Sequence, residues 1–253
     1  MTTKLMLEIP SPNVTAMVPL YFRSLNGLSS DDYVIVSHGK GIFEFQCLKA
    51  SSPVFRDDVK RNLRDCFDRN KDHIYPVSVS GLKDGAGAYA NTAGSERFCT
   101  MNYDLADILT NMIKGRSAVD IIQDENGKWM ELLNVSQYFR FMQYKTGGEH
   151  FPHYDSDYTY EYNGAVTKYS LVVYFTECKS GEFAFVEPKG TEFEGGNTDW
   201  SRQATDAECY IKIMPQTMKI LVFPHTLCHT VLPFTDNNQT RIICRGDLLF
   251  KHI

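Results

Sequence analysis

No apolar stretch in this sequence approaches the roughly 18 consecutive residues that a membrane-spanning helix needs. Its opening residues, MTTKLMLEIPSPNV, are too short and too interrupted for a secretory leader. No cysteine stands in a C-x-x-C pair. The seven, at 47, 66, 99, 178, 209, 228 and 244, are odd in number and scattered, which argues against a disulfide framework and against a zinc ribbon. Cys228 and Cys244 sit in apolar, strand-like runs and read as small buried hydrophobes. Missing too are a Gly-Lys-Ser/Thr loop and a G-x-G-x-x-G turn opening a helix, which excludes the usual phosphate cradles. There is no internal repeat, no low-complexity tract and no long run of one charge. With 26 basic against 31 acidic residues the net charge is −5, so a broad basic footprint for nucleic acid is absent. These absences lead us to expect a soluble, intracellular (cytoplasmic) protein with no membrane partner and nucleic acid disfavoured. They leave the oligomeric state open.

What is present favours strands. Aromatics make up 13% of the 253 residues, chiefly Tyr and Phe, and both types suit pleated, half-buried surfaces. Residues 33–36 and 41–48 read as two strands around a Ser-His-Gly-Lys-Gly turn. From 53 to 70 the apolar period changes: Phe55, Val59, Leu63, Cys66 and Phe67 fall three or four apart and form one helix face. A strand at 74–79 precedes a Gly-, Ala- and Asn-rich loop at 81–94, read as a flap or a surface loop. A second helix is expected over 103–114, with Leu105, Ile108, Leu109 and Met112 on one side. Helical signals then nearly vanish. Short runs at 138–144, 166–175, 182–186, 210–214, 219–223, 228–234 and 240–250, separated by Gly, Pro and Asn turns, indicate a sandwich or barrel. The fold class is therefore α+β. We expect an N-terminal α/β supporting region over 1–94, packed as one unit on a β-core over 95–253.

One constellation carries chemistry. In an extended strand, residues two apart project to the same face, so His153 and Asp155 can address one ion while Tyr154 turns away. His229 begins a strand that follows the apolar run KILVF (219–223). Two imidazoles and a carboxylate form the set that binds one face of iron(II) and leaves the opposite positions open. His150 and His225 are nearby competitors, read as supporting or surface residues. Arg241, downstream of His229, offers a fixed cation for a dicarboxylate co-substrate.

In this light the chain resembles the prolyl 4-hydroxylase-like branch of the 2-oxoglutarate- and iron(II)-dependent dioxygenases. The resemblance runs from about residue 95 to 250, and its segments fall in the family's order. FRFMQY (139–144), Gly148 and FPHYD (151–155) resemble the family's entry to its metal site. KYSLVVYF (168–175) resembles its next core strand, and SGEFAF (180–185) its following turn. Residues 215–223 with His229 are similar to the segment carrying its second histidine, and RGDLLF (245–250) to its closing strand.

The resemblance implies a double-stranded β-helix (jelly-roll) core. It also implies iron(II) held by His153, Asp155 and His229, and 2-oxoglutarate and dioxygen as co-substrates, with ascorbate in support. Arg241 would pair with the distal carboxylate of 2-oxoglutarate, and Tyr174 would donate its hydroxyl there. Tyr144 and Ser170 would line the same pocket or simply pack in the core. Arg241 follows His229 by two positions more than is usual, and a turn over 236–239 absorbs the difference. Arg245, on the same strand face, competes for the anion. Phe183 replaces a customary threonine and Thr217 lies near a customary glycine; neither is expected to touch the chemistry. Arg140, on the face of Tyr144, is a candidate substrate contact with a structural salt bridge as its alternative.

The loops at 156–166 and 187–209 would form a rim over the substrate or plain surface insertions. The reaction implied is oxidative decarboxylation of 2-oxoglutarate to succinate, coupled to hydroxylation of a substrate C–H bond. A protein or peptide side chain, foremost prolyl, is the leading substrate. A nucleobase or free small molecule is the alternative, and a non-catalytic jelly-roll binding protein the third reading.

Overall fold

The computed structural model describes residues 28–76, 80–82, 88–90, 92–160, 163–187, 202–237 and 239–253. In chain order these form β1 (Tyr33–Gly39), β2 (Ile42–Cys47), α1 (Pro53–Arg69), β3 (Tyr75–Pro76), β4 (Ser80–Leu82), β5 (Ala88–Ala90), β6 (Thr92–Met101) and α2 (Tyr103–Ile113). They continue as β7 (Ile121–Gln123), β8 (Trp129–Val135), β9 (Tyr138–His153), β10 (Thr159–Tyr160), β11 (Ala165–Tyr174), β12 (Phe183–Val186), β13 (Cys209–Ile213), β14 (Ile220–Pro224), β15 (His229–Val231) and β16 (Arg241–His252).

Two walls face one another. The larger runs β1-β2-β14-β11-β16-β9 with β6 beyond, and the smaller runs β9-β15-β12-β13. Every pairing is antiparallel, and β9 belongs to both walls. Its first half pairs with β16 (Arg241↔Tyr144, Arg245↔Arg140) and its last residues pair with β15 (His229↔His153). This is the double-stranded β-helix expected from the sequence. β2 hydrogen-bonds directly to β14, and β6 crosses the boundary expected at 94/95.

Alternation along the larger wall separates two apolar layers. Leu171, Val173, Phe141, Cys244, Phe98 and Val222 face the helices, burying Val59, Leu63, Cys66 and Phe67 of α1 and Leu105, Leu109, Met112 and Ile113 of α2. Phe98 and Phe141 stack at 5.0 Å between β6 and β9. Val172, Tyr174, Tyr144, Ile243, Leu221 and Phe223 face the other way, against Phe183, Phe185, Val231 and Ile213 of the smaller wall. This second layer is the barrel interior.

The helices start where capping chemistry allows. Ser52 accepts a hydrogen bond from the Phe55 amide ahead of Pro53 at the first helical position, and Asn102 caps α2 by accepting from Leu105 at 2.8 Å. Among the described residues no helix is long and apolar enough to cross a membrane.

Several elements depart from the sequence reading. The β7–β8 hairpin was not expected, because its Asp-Glu-Asn-Gly-Lys turn dominates the local composition. β9 does not stop at Tyr144, where the expected run ends: it continues through Gly147 and Gly148 to His153. Part of the expected loop over 81–94 is strand, since β4 pairs with β5 and β6 begins at Thr92. Residues 1–27, 77–79, 83–87, 91, 161–162, 188–201 and 238, covering parts of the expected N-terminal region, 74–79 strand, flap, rims and turn, lie outside the described residues.

Candidate active site

His153 ends β9 and His229 opens β15, so the strand pairing brings the two imidazoles together, with ring centroids 4.2 Å apart. Asp155 follows two residues later. Its Oδ1 lies 3.9 Å from His153 Nε2 and its Oδ2 lies 3.6 Å from His229 Nε2. The three ligand atoms all fall within 4.8 Å of one another.

Each histidine is oriented in the same way. His153 Nδ1 donates to the Phe151 carbonyl at 2.8 Å, and His229 Nδ1 to the Leu227 carbonyl at 2.9 Å. A carbonyl can only accept, so the proton sits on Nδ1 and the Nε2 lone pair is free to face a metal. Burial lowers the His153 imidazole, and burial together with His153 pushes His229 down to about 3. Both rings are neutral at neutral pH. Burial opposes ionisation of Asp155, but Arg245 and the two histidines outweigh it and hold the carboxyl well below its ordinary range. Two neutral imidazoles and an ionised carboxylate are the donor set that iron(II) accepts, so the residues fit that metal.

Phe183 departs from expectation here. Its ring stacks on His229 at 5.1 Å, with Phe223 edge-on at 4.8 Å. The residue read as remote from the chemistry is the wall of the second histidine.

Deeper in the barrel, Arg241 is almost fully enclosed, at 1% exposure. Its guanidinium lies over the Tyr144 ring at 4.0 Å and one arm donates to the Gly181 carbonyl. Nε and Nη2 have no hydrogen-bond partner, and neither does the buried Tyr174 hydroxyl in the same interior layer. Burial raises Tyr174 well above the ordinary phenol value, so its hydroxyl keeps its proton and can donate.

Ser170 and Arg245 lie elsewhere. The Ser170 hydroxyl donates to Asp155 Oδ2, and Arg245 Nη2 sits 2.6 Å from Asp155 Oδ1. Arg245 also reaches Ser170 at 3.3 Å and Asp247 at 3.5 Å. Both residues, which the sequence offered as co-substrate contacts, brace the carboxylate of the ligand set.

Around them is a cluster the sequence reading missed. His225 Nδ1 bonds Asp157 at 2.9 Å, and its Nε2 lies 3.4 Å from Asp247 Oδ1. Burial works against the charged imidazole, but the two carboxylates outweigh it and raise His225. Lys168 bridges Asp157 at 2.6 Å and Glu125 at 3.1 Å. His150 lies in β9 with its ring 3.8 Å from that of His153. The signal for Asp247 was available: stepping by two from Arg241 passes Ile243 and Arg245 and arrives at Asp247 on the same face.

No protein-family model and no curated protein sequence matches the chain. Solved structures do. OsALKBH1 is 13% identical with a TM-score of 0.50, covering 85% of this chain and 99% of that one. A prolyl-4-hydroxylase from Pseudomonas putida is 15% identical with a TM-score of 0.47, covering 83% and 92%. A prolyl hydroxylase from Trichoplax adhaerens, solved with a peptide fragment of the hypoxia inducible factor oxygen degradation domain, is 11% identical with a TM-score of 0.46, covering 89% and 86%. At such identities the likeness is one of fold.

Proposed function

We propose that this protein is an iron(II)- and 2-oxoglutarate-dependent dioxygenase. It hydroxylates a C–H bond of a protein or peptide side chain, with prolyl the leading substrate. The observation that carries the reading is Arg241. A guanidinium sealed in an apolar barrel with two nitrogens unpaired is costly unless an anion arrives. The Tyr174 hydroxyl, also unpaired, offers a further donor. A dicarboxylate anchored there would extend toward the histidine–carboxylate set, and its distal end would gain charge-assisted bonds from the guanidinium fork.

His153, Asp155 and His229 would hold the iron. When bound, iron(II) would supply the redox chemistry by which dioxygen oxidises both substrates, one oxygen atom entering succinate as 2-oxoglutarate loses carbon dioxide and the other entering the new hydroxyl group. The chain does the rest. Leu227 and Phe151 carbonyls lock the imidazole tautomers, while Arg245 and Ser170 fix the plane of the Asp155 carboxylate. Phe183 and Phe223 exclude water from the His229 side. Arg241 and Tyr174 set the direction of the co-substrate. In this assignment Arg241 is the anion partner and Arg245 the brace of Asp155. Ascorbate serves as a supporting reductant.

The test is succinate formation from 2-oxoglutarate by the purified protein with iron(II), ascorbate and air. It is run beside His153→Ala and Arg241→Ala, with and without a proline-rich peptide pool. Turnover that disappears in His153→Ala supports the oxygenase, and stimulation by the peptides supports a prolyl substrate. Stimulation by free small molecules or nucleosides instead would move the substrate to that class. Failure to bind both iron(II) and 2-oxoglutarate would overturn the reading.

A further inference from the structure

Arg140 and Arg245 stand directly opposite one another on β9 and β16, both facing the barrel interior. Like charges in that register repel, so the pair needs compensation. Asp247 supplies one carboxylate for both. Its Oδ1 is 3.5 Å from Arg245 and 3.4 Å from His225, and its Oδ2 is 3.7 Å from Arg140. The last separation is too long for a hydrogen bond. Arg140 Nη1 and Arg245 Nε are buried and have no hydrogen-bond partner, and among the described residues no other acid lies within 4 Å of Arg140.

Arg245 is satisfied chiefly by Asp155, at 2.6 Å. His225 and Lys168 divide Asp157 between them. Arg140 is left with the Asp247 carboxylate at 3.7 Å, which Arg245 and His225 approach more closely. Arg140 Nη1 is thus a buried donor without an acceptor. Arg140 is 15% exposed and lies over the Tyr138 ring at 5.3 Å. Its planar fork is thus oriented and still reachable from solvent.

We propose that the substrate carries an anionic group, a carboxylate or a phosphate, which Arg140 receives beside Asp155. The proposal rests on the oxygenase reading above for the word substrate, and it narrows that substrate to an acid. Arg140 is the specificity-determining contact, and its neighbour across the strands, Arg245, holds the metal-ligand carboxylate one side chain away. A bidentate guanidinium pairing suits either anion.

The experiment uses the whole protein with manganese(II) in place of iron and saturating 2-oxoglutarate, whose binding is measured first by calorimetry. Acetate, methylphosphonate and neutral acetamide are then titrated, and the paramagnetic relaxation of their methyl protons is followed by NMR. The expected result is saturable relaxation for at least one anion and none for acetamide. Arg140→Met should weaken that anion at least tenfold, Arg140→Lys should recover part of the loss, and 2-oxoglutarate affinity should be the same in all three. The stronger anion identifies carboxylate or phosphate as the natural group. Equal relaxation by acetamide, or anion binding indifferent to Arg140→Met in a variant that melts like the wild type, overturns the proposal. Absence of 2-oxoglutarate binding would overturn the oxygenase reading instead. The Arg140 dependence of anion binding, compared with that of Arg241→Met, would still decide the anion site.

Discussion

Replacing Gly181 by alanine should uncouple co-substrate binding from folding. Gly181 has φ of +73°, and a Cβ there would lie 2.7 Å from Arg241 Nη1 and 3.3 Å from two atoms of Phe234. The left-handed backbone costs alanine about 1–2 kcal/mol. Ordinary contact begins near 3.4 Å, so the guanidinium must retreat by about 0.7 Å, a distance at which charge-assisted hydrogen bonds degrade sharply. Losing one such bond costs about 1.5–3 kcal/mol, or roughly a ten- to hundredfold weaker affinity for 2-oxoglutarate. Gly127→Ala is the control. Gly127 has φ of +76° with nothing within 4 Å of its Cβ position, so it carries the backbone cost alone. Calorimetric titration of 2-oxoglutarate and urea unfolding of both variants separate the two effects. If Gly181→Ala folds and binds 2-oxoglutarate as tightly as Gly127→Ala, then Arg241 is not the anion partner.

The remaining expectations concern the metal, a buried ion pair and the thiols. Manganese(II) at a hundredfold excess over its dissociation constant should stabilise the protein by about 2.7 kcal/mol; thermal melts of His229→Ala should show no metal-dependent shift. Lys219 and Glu44 form a 2.7 Å pair with both side chains 5% exposed, so Lys219→Met should cost about 1.5–3 kcal/mol by removing one charge-assisted partner of a carboxylate that Gln46 and His38 still hold, read by urea unfolding. Burial opposes ionisation of Glu44, but Lys219, Gln46 and His38 outweigh it and lower its pKa below 4.5. A lowered carboxyl contributes fully above 4.5 and loses its contribution as pH falls through the folded value. An acid titration of stability should therefore flatten in this region in Glu44→Gln. Burial pushes the Cys66 and Cys228 thiols up to about 12, so iodoacetamide at pH 8 should label the partly exposed Cys99 and Cys209 first; peptide mapping that finds Cys66 or Cys228 labelled as fast would contradict this.

What the sequence disclosed depended on how local the evidence was. His153 and Asp155 were legible because a spacing of two in extended chain suffices to bring both to one ion, even though the strand itself ends at His153. α1 and α2 were legible because their apolar period is unambiguous. The long β9 was not, since the glycines at 147 and 148 carry no side chain to continue the alternation that marks 138–144 as a strand. The destination of Ser170 and Arg245 was also hidden. Alternation placed Arg245 on the face of Arg241 and the resemblance placed Ser170 near the same pocket, but which carboxylate they meet depends on β11 and β16 lying side by side. Phe183 misled for a similar reason: a substitution within a turn motif says nothing about the ring it will stack on across the smaller wall. His225 and Asp157 are 68 positions apart in the chain, and no sequence period joins them.

The continuity of β9 also bears on how the barrel can be loaded. A clamshell opens when its halves separate along a seam, but here one strand is stitched into both halves, from Arg140 on the larger wall to His153 on the smaller. Parting the walls would tear its ladder to β16 or to β15. Entry and exit must therefore proceed through the end of the barrel while the walls stay shut. Amide exchange along β9 should be among the slowest in the molecule, during turnover as well as at rest.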